Sequence, residues 1–434
     1  MALIPPEQLG LKWLFLDLNS YFASVEQNEN PHLIGKPVAV VPMMTDATCA
    51  IAASYEAKRY GIRTGTKIYE AKKLCPDLTC ILARHDVYVD YHNRILQAVD
   101  HHLPVNRIWS IDEFDSILMG REKIPEKAQH IAQQIKARLR RDIGPAIGCS
   151  IGISSNSFLA KVATEIEKPD GLVLLRPEDL PDRLLDLNLT DLPGINTGML
   201  ARLHRARITT VDALWQTSPK QARAIWGSVQ GERFWYWLHG YDVPYGETHP
   251  SMIGHSRVLD PELRTPEKTR AMARRLLVKA SFRLRRKGYY AGRLLLSVRL
   301  LDGPKYSHEA QFPAADDPFT FLHHLECLWE DLSLHLFGRA AACYERRTVF
   351  KKVSVILHHL HTPEEVTDDL FDTSYQENKE LFQKRKRLTA ALDSLQQKYK
   401  AETVTLGLPP KTLAGHVGTK IAFSRVPEQE EFWS

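Results

Sequence analysis

Residues 109–118 read WSIDEFDSIL, an apolar, strand-like run that carries Asp112 and Glu113 side by side. Burying two adjacent acids is costly unless something compensates their charge. Neighbours in an extended strand point to opposite faces, so both acids reach one site only where the backbone turns. Arg107 to Met119 therefore reads as two short strands with the acid pair at the hairpin tip between them. A solvated surface turn is the competing reading of a lone Asp-Glu pair, and the surrounding chain has to separate the two.

Upstream, KWLFLDL (12–18) is a compact apolar strand with Asp17 near its end, and SYFASVEQN continues it as a helix. GKPVAVVPM and ATCAIAAS read as strands, and YEAKRYGI as a short helix ended by Gly61. Helical spacing runs over 67–75 and 87–103. Downstream of the hairpin come a Lys- and Arg-rich helix over 125–141 and the buried strand AIGCSIGIS. The helix and turn SFLAKVATEIEKPDG and the strand LVLLR follow. This alternation over the first 176 residues predicts an α/β domain, helices packed on one sheet, with Asp17 on a strand neighbouring the 112/113 pair.

Beyond a short connection, LPGINTGMLARLHRARITTVDAL has the form of a helix-hairpin-helix. Its turn at Pro193, Gly194 and Ile195 would let backbone amides approach a DNA phosphate; an ordinary αα-hairpin is the alternative. Residues 241–250 look like a linker. Strands and helices alternate again over 251–360, with a clear excess of Lys and Arg over Asp and Glu. RRLLVKASFRLRRKGYYAGRLLLSVRL, with Arg283, Arg285 and Arg286, supplies most of that excess. It reads either as a DNA-facing surface or as a solvated helix face. After Val366 a tail follows, with a helix at 377–399.

Composition bounds the rest. At 434 residues, with 44% hydrophobic and 25% charged content, the chain has room for two to four domains with ordinary cores. A net charge of +5 permits nucleic acid as a partner without demanding it. The six cysteines form no CxxC pair, which points to reduced core thiols. His323, His324 and Cys327 mimic ligand spacing, but no second cluster matches them, so no structural metal is assigned there. MALIPPEQLG has no leader pattern and no run approaches a membrane span, so the expectation is a cytoplasmic protein without a membrane partner.

Asp17, Asp112 and Glu113 brought together would repel and protonate unless a cation joined them. Magnesium suits that role, because it takes carboxylate oxygens and substrate phosphates into one shell. Two such ions can activate an attacking hydroxyl and neutralise a leaving pyrophosphate.

The words FLDLNSYFASVE, GKPVAV, AASYEAKRYGIRTG, EAKKLCPDL, SIDE, GCSIGISSNSFLAKVATEIEKPDG and LPGI stand in order along the chain. In that order the sequence resembles the Y-family translesion DNA polymerases, of the bacterial UmuC and DinB kind, from about Trp13 to His359, with a looser UmuC-like tail. The resemblance implies an α/β fold with an α+β palm of polymerase type over 11–20 and 85–176, and fingers over 21–84. A helical thumb with the helix-hairpin-helix would span 177–240, the linker 241–250, a separate α/β little finger 251–362, and the tail 363–434.

It also implies template-directed, low-fidelity DNA synthesis past damage, within DNA repair and the SOS response. Two alternatives are a polymerase-like scaffold that has lost its carboxylates and a palm-type nucleotide cyclase. Intact acids argue against the first, and the DNA-binding modules against the second.

Carried over, Asp17 and Asp112 resemble the metal-bridging aspartates, Glu113 the acid near the primer terminus, and Leu18 a residue whose carbonyl meets a metal. Tyr21 and Phe22 would lie at the incoming dNTP, with Phe22 as the steric gate against a ribose 2′-OH. Tyr55, Lys58 and Lys168 would hold the triphosphate, Lys58 standing where DinB-like members have Arg. The implied cofactor is Mg²⁺, as two ions, with Mn²⁺ as a substitute. The implied partners are primer–template DNA, a sliding clamp reached through Leu370 and Phe371 of TDDLF (367–371), and a UmuD-like subunit. SIDE is followed by FDS rather than AYLD or AFLD, and Asp115 carries no role in this reading.

Overall fold

The computed structural model describes residues 4–246, 250–301, 303–337, 349–366 and 379–399, with Leu406 and Val426. The segment 367–371, whose Leu370 and Phe371 are expected to reach a sliding clamp, lies outside the described residues. Two compact units meet in sequence between Tyr245 and Gly246.

In the first unit, α1 (Pro6–Leu9) leads into β1 (Trp13–Leu18), whose alternation sets two environments. Leu14, Leu16 and Leu18 are buried with Tyr88, Ile95, Val99, Ala132 and Ile135 in one core. Each such burial is worth roughly 2 kcal/mol. Asp17, one position out of phase, faces the other side. After α2 (Tyr21–Glu29) come β2 (Val38–Val41), β3 (Ala52–Ala53), α3 (Tyr55–Lys58), α4 (Ile68–Leu74) and β4 (Thr79–Leu82). Then α5 (His85–Asp100), the hairpin β5 (Val105–Ile108) and β6 (Glu113–Ile117), α6 (Pro125–Arg138), β7 (Cys149–Ser154), α7 (Ser157–Ile166) and β8 (Leu172–Leu175) follow.

These strands form two sheets rather than the single one expected. The larger has the order β5-β6-β1-β7-β8, and the smaller β3-β2-β4. The larger sheet is antiparallel except for β7 against β8, so α/β alternation in sequence becomes a mixed sheet in space. Register pairs Asp17 with Glu113 across β1 and β6. α7 lies close on the sheet because β7 offers Gly152, where any Cβ would collide with the Ala160 carbonyl.

The helices α8 (Thr197–Arg205), α9 (Val211–Trp215), α10 (Pro219–Trp226) and α11 (Val229–Leu238) share a core with α7 through Phe158, Val162, Leu203, Leu214, Phe234 and Trp237. The expected linker is partly anchored: Lys12 pairs with Asp242, Trp237 Nε1 donates to the Val243 carbonyl at 2.7 Å, and Tyr245 stacks on Trp237 at 4.3 Å.

The second unit holds β9 (Met252–Val258), α12 (Pro266–Arg286), β10 (Tyr290–Leu300), β11 (Lys305–Ala315), α13 (Pro318–Phe337) and β12 (Phe350–His361). Its antiparallel sheet has the order β11-β10-β12-β9. Leu294, Leu296, Val298, Val353, Val355 and Leu357 pack with Met272, Leu277, Leu284 and Leu325 of the two helices. The alternate residues form the other face. There Ser256, Ser354, Ser297 and Ser307 stand in register across all four strands, and Val258, Lys352, Arg299 and Lys305 form another such row. Among the described residues no helix is long and apolar enough to cross a membrane.

Candidate active site

A cavity of about 440 Å³ opens beside the end of β1. Asp17, Leu18, Tyr21, Phe22, Tyr55, Lys58, Asp112, Glu113 and Lys168 all line it, although they come from four separate sequence regions. The hairpin explains how two adjacent acids share it. Asp112 lies in the turn and Glu113 is the first residue of β6, so the chain changes direction between them. The turn is closed by the Trp109 and Ser110 amides, which donate to the Glu113 carbonyl, and the Leu18 amide donates to the Asp112 carbonyl at 2.9 Å. On the far side, the buried His92 ring meets the Ile111 carbonyl at 2.7 Å through Nδ1.

Two further residues of the site, Lys161 and Glu165, were not singled out from the sequence. Lys161 pairs with Asp17, with Glu113 at 2.9 Å and with Glu165 at 3.0 Å. Lys168 bonds Asp17 and Glu165, both at 2.8 Å. The spacing 161, 165, 168 is i, i+4, i+7, one face of a helix and the turn after it, and that spacing is the signal by which they could have been found.

Electrostatics divides the acids. Burial alone would raise the Asp17 carboxyl, but Lys161 and Lys168 outweigh it and hold it below the usual value. Burial likewise opposes the Lys161 ammonium, while Asp17, Glu113 and Glu165 hold its pKa above normal. Asp112 has no ion pair among the described residues and feels Lys161 only weakly, as the smallest of the influences on it. Burial, with Asp17 and Glu113 nearby, pushes its carboxyl up to about 6, against the opposing hydrogen bond from the Ser110 hydroxyl. Among the described residues, no three Asp, Glu, His or Cys side chains stand close enough to cage a metal ion as they are. The donor set nevertheless fits a hard divalent cation: every candidate ligand is an oxygen, and Asp112 is a buried carboxylate short of positive charge. Asp17 would exchange an ammonium for the ion.

On the opposite wall, Lys58 sits over the Tyr55 ring at 4.2 Å. Burial and Lys168 lower its pKa, and burial with Asp17 and Glu165 pushes the Tyr55 hydroxyl up to about 12. Phe22 is 8% exposed, stacked on Tyr88 at 4.4 Å with His85 edge-on. Tyr88 is itself fixed, its hydroxyl donating to Glu26 at 2.7 Å, and Glu26 is paired with Arg84. The Tyr21 hydroxyl is committed to the Tyr88 carbonyl at 2.6 Å, so its polar end is not offered to a ligand.

The remaining candidates lie elsewhere. Gly194, at φ 90°, is exposed, and a Cβ there would meet nothing within 4 Å, so its backbone is approachable. The element directly before it is a 3₁₀ turn, Leu189–Asp191, rather than a full first helix. Pro193 is half-buried, and Ile195 is a core residue at 4% exposure whose amide donates to the Leu192 carbonyl at 3.2 Å. Arg283 and Arg286 close α12. Arg285, expected at a DNA surface, instead grips Asp393 of the C-terminal helix Lys379–Tyr399 through two bonds of 2.7 Å and donates to the Asp316 carbonyl. A carboxylate matches its fork, and the pair offsets its charge and engages three of its five N–H donors with the Asp316 carbonyl included.

Two family models match the chain: the impB/mucB/samB family over residues 16–165, and the C-terminal domain of that family over 250–370. A DNA polymerase IV of Moorella thermoacetica is 33% identical over 66% of this chain and 72% of its own length. Another, from Bacillus velezensis, is 30% identical over 66% and 70%. Among solved structures, a Y-family DNA polymerase chimera of Dbh and Dpo4 superposes with a TM-score of 0.67 at 21% identity, covering 81% of this chain and 99% of the chimera. An insertion ternary complex of Dbh DNA polymerase gives 0.52 at 21% identity, over 81% and 99%. At such identity these two speak for the fold alone.

Proposed function

The chain belongs to the impB/mucB/samB family and is a Y-family translesion DNA polymerase; on that footing we propose that the cavity beside β1 is where a primer 3′-hydroxyl attacks the α-phosphate of a dNTP. The observation that carries this is the meeting of Asp17, Asp112 and Glu113 with Phe22, Tyr55, Lys58 and Lys168 around one cavity. Asp17, Asp112, Glu113 and the Leu18 carbonyl would hold two Mg²⁺ ions, or Mn²⁺ in their place. When bound, such ions lower the pKa of the attacking hydroxyl and offset charge on the leaving pyrophosphate. Lys58 and Lys168 place ammonium charge where phosphate oxygens gain charge. Lys58 gives a point charge rather than a bidentate fork, which makes its hold on a triphosphate less directional.

The Phe22 ring, backed by Tyr88, forms a wall against a ribose 2′-OH. The small β3-β2-β4 sheet leaves the nucleotide loosely enclosed, which supports low-fidelity synthesis. For the grip on primer–template, the open sheet face of the second unit is the better surface, since Arg285 is spent on Asp393. Its small serines admit a close approach, and Lys352, Arg299 and Lys305 supply phosphate contacts. The Gly194 turn adds backbone amides. A sliding clamp at Leu370 and Phe371, a UmuD-like subunit and a cytoplasmic setting belong to the same proposal.

The test is primer extension with Mg²⁺ on undamaged and abasic templates, wild type beside Asp112→Ala. Extension that the variant loses supports the site. Equal extension by both removes Asp112 from the chemistry.

A further inference from the structure

The hairpin that presents Asp112 and Glu113 is short, and its tip faces an open cavity. β5 has four residues and β6 five, and their pairing shifts register between Val105 and Arg107. Two residues beyond Glu113, on the same face of β6, stands Asp115, 1% exposed. A carboxylate so buried is costly unless its lone pairs are met. Here three donors converge on it. Asn106 Nδ2 reaches Oδ1 at 2.9 Å, while Trp109 Nε1 and the Ser157 hydroxyl reach Oδ2 at 2.7 and 2.6 Å.

The origins of these donors give the cluster its meaning. Asn106 lies in β5 and Trp109 at the start of the turn, so two bonds tie the β5 arm and the turn to a carboxylate of the β6 arm. Ser157 opens α7, the helix that carries Lys161 and Glu165 into the cavity. An acid beside the first turn of that helix also faces its positive dipole end. The Trp109 indole is further wedged between Phe15 (6.4 Å) and Tyr245 (4.7 Å), with the Arg107 guanidinium over its ring at 4.1 Å. We infer that Asp115 is a positioning residue: it braces the acid-bearing hairpin against the lysine-bearing helix and so sets the separation of Asp112 and Glu113 from Asp17 and Lys161.

This rests on the reading that Asp112 and Glu113 take part in synthesis, and its test has a readout independent of that reading. Asp115→Leu keeps the branched four-atom skeleton, in bulkier form, and removes every acceptor. Asp115→Asn keeps one acceptor for Trp109 and Ser157, and its new amide can be met if Asn106 rotates its own amide by 180°. The brace therefore predicts loss in the first variant and rescue in the second.

Hydrogen exchange by mass spectrometry on the metal-free protein should show peptides over 105–113 exchanging at least ~10-fold faster in Asp115→Leu, with peptides over 149–154 unchanged. Asp115→Asn should stay near wild type. In primer extension, kcat should fall ~10-fold or more in Asp115→Leu, while the KM for dNTP and the Kd for primer–template stay within ~3-fold. Trp109→Phe and Ser157→Ala, which each delete one donor, should move exchange and kcat the same way by less. Unchanged hairpin exchange in all these variants overturns the proposal, as does acceleration spread evenly over the first unit, which marks a merely structural acid. Fast hairpin exchange with full kcat would keep the brace and point instead to failure of the assignment of Asp112 and Glu113.

Discussion

Asp112→Asn should make the metal-free protein more stable while abolishing synthesis. The Asp112 carboxyl is pushed from 3.8 up to about 6, by burial first and then by Asp17 and Glu113, with the Ser110 hydroxyl and, more weakly, Lys161 opposing. At about 1.36 kcal/mol for each tenfold change in proton affinity, that rise corresponds to about 3 kcal/mol, of which solvent screening leaves roughly 2. The sign follows from proton binding. Between pH 3.8 and 6 the native state holds this proton more tightly than the unfolded chain does, so wild-type stability falls as pH rises through that window. A neutral amide of the same shape keeps the Ser110 contact and feels none of this. Urea unfolding in EDTA should show the two proteins equal near pH 4 and the variant ahead by roughly 2 kcal/mol above about pH 6. Added Mg²⁺ should favour wild type, because an ion that binds only the folded state stabilises it by mass action. A variant that is less stable than wild type at about pH 7.5 in EDTA would refute the reasoning, since the buried charge would then have a cationic partner.

Lys161→Met should cost about 2 kcal/mol of stability in urea unfolding, because it leaves Glu113 without its cation and Asp17 with Lys168 alone. Phe22→Ala should raise the ribonucleotide-to-deoxynucleotide ratio of kcat/KM by ~100-fold or more, and Tyr88→Leu by less, since it removes only the backing of the ring. Unchanged sugar selectivity in Phe22→Ala removes it from the gate. Arg299→Ala and Lys352→Ala should each lower the slope of log Kd for primer–template against log salt by about 1. Arg285→Ala should leave that slope alone and speed proteolytic release of the helix Lys379–Tyr399, because its guanidinium holds Asp393; a lowered slope would return it to the DNA surface.

Much of the site was legible in the residues because local rules govern it. WSIDEFDSIL announces a hairpin, since two adjacent acids can share a site only at a turn, and KWLFLDL announces the strand that brings Asp17 beside it. The order of the motif words was enough to name the family. Other features depend on which surfaces come together, which the motif words do not state. Lys161 appears in the chain as one more cation on an amphipathic helix; only the packing of α7 over Gly152 brings it to Asp17 and Glu113. Arg285 lies in a basic run that promised a DNA surface, and a helix some hundred residues later claims it. Asp115 had no role until the fold gathered donors from β5, the turn and α7 around it. Periodicity and turn chemistry act over a few residues and can be read in one dimension. The partner of a buried charge is chosen by long-range packing, so it is known only when the chain has closed on itself.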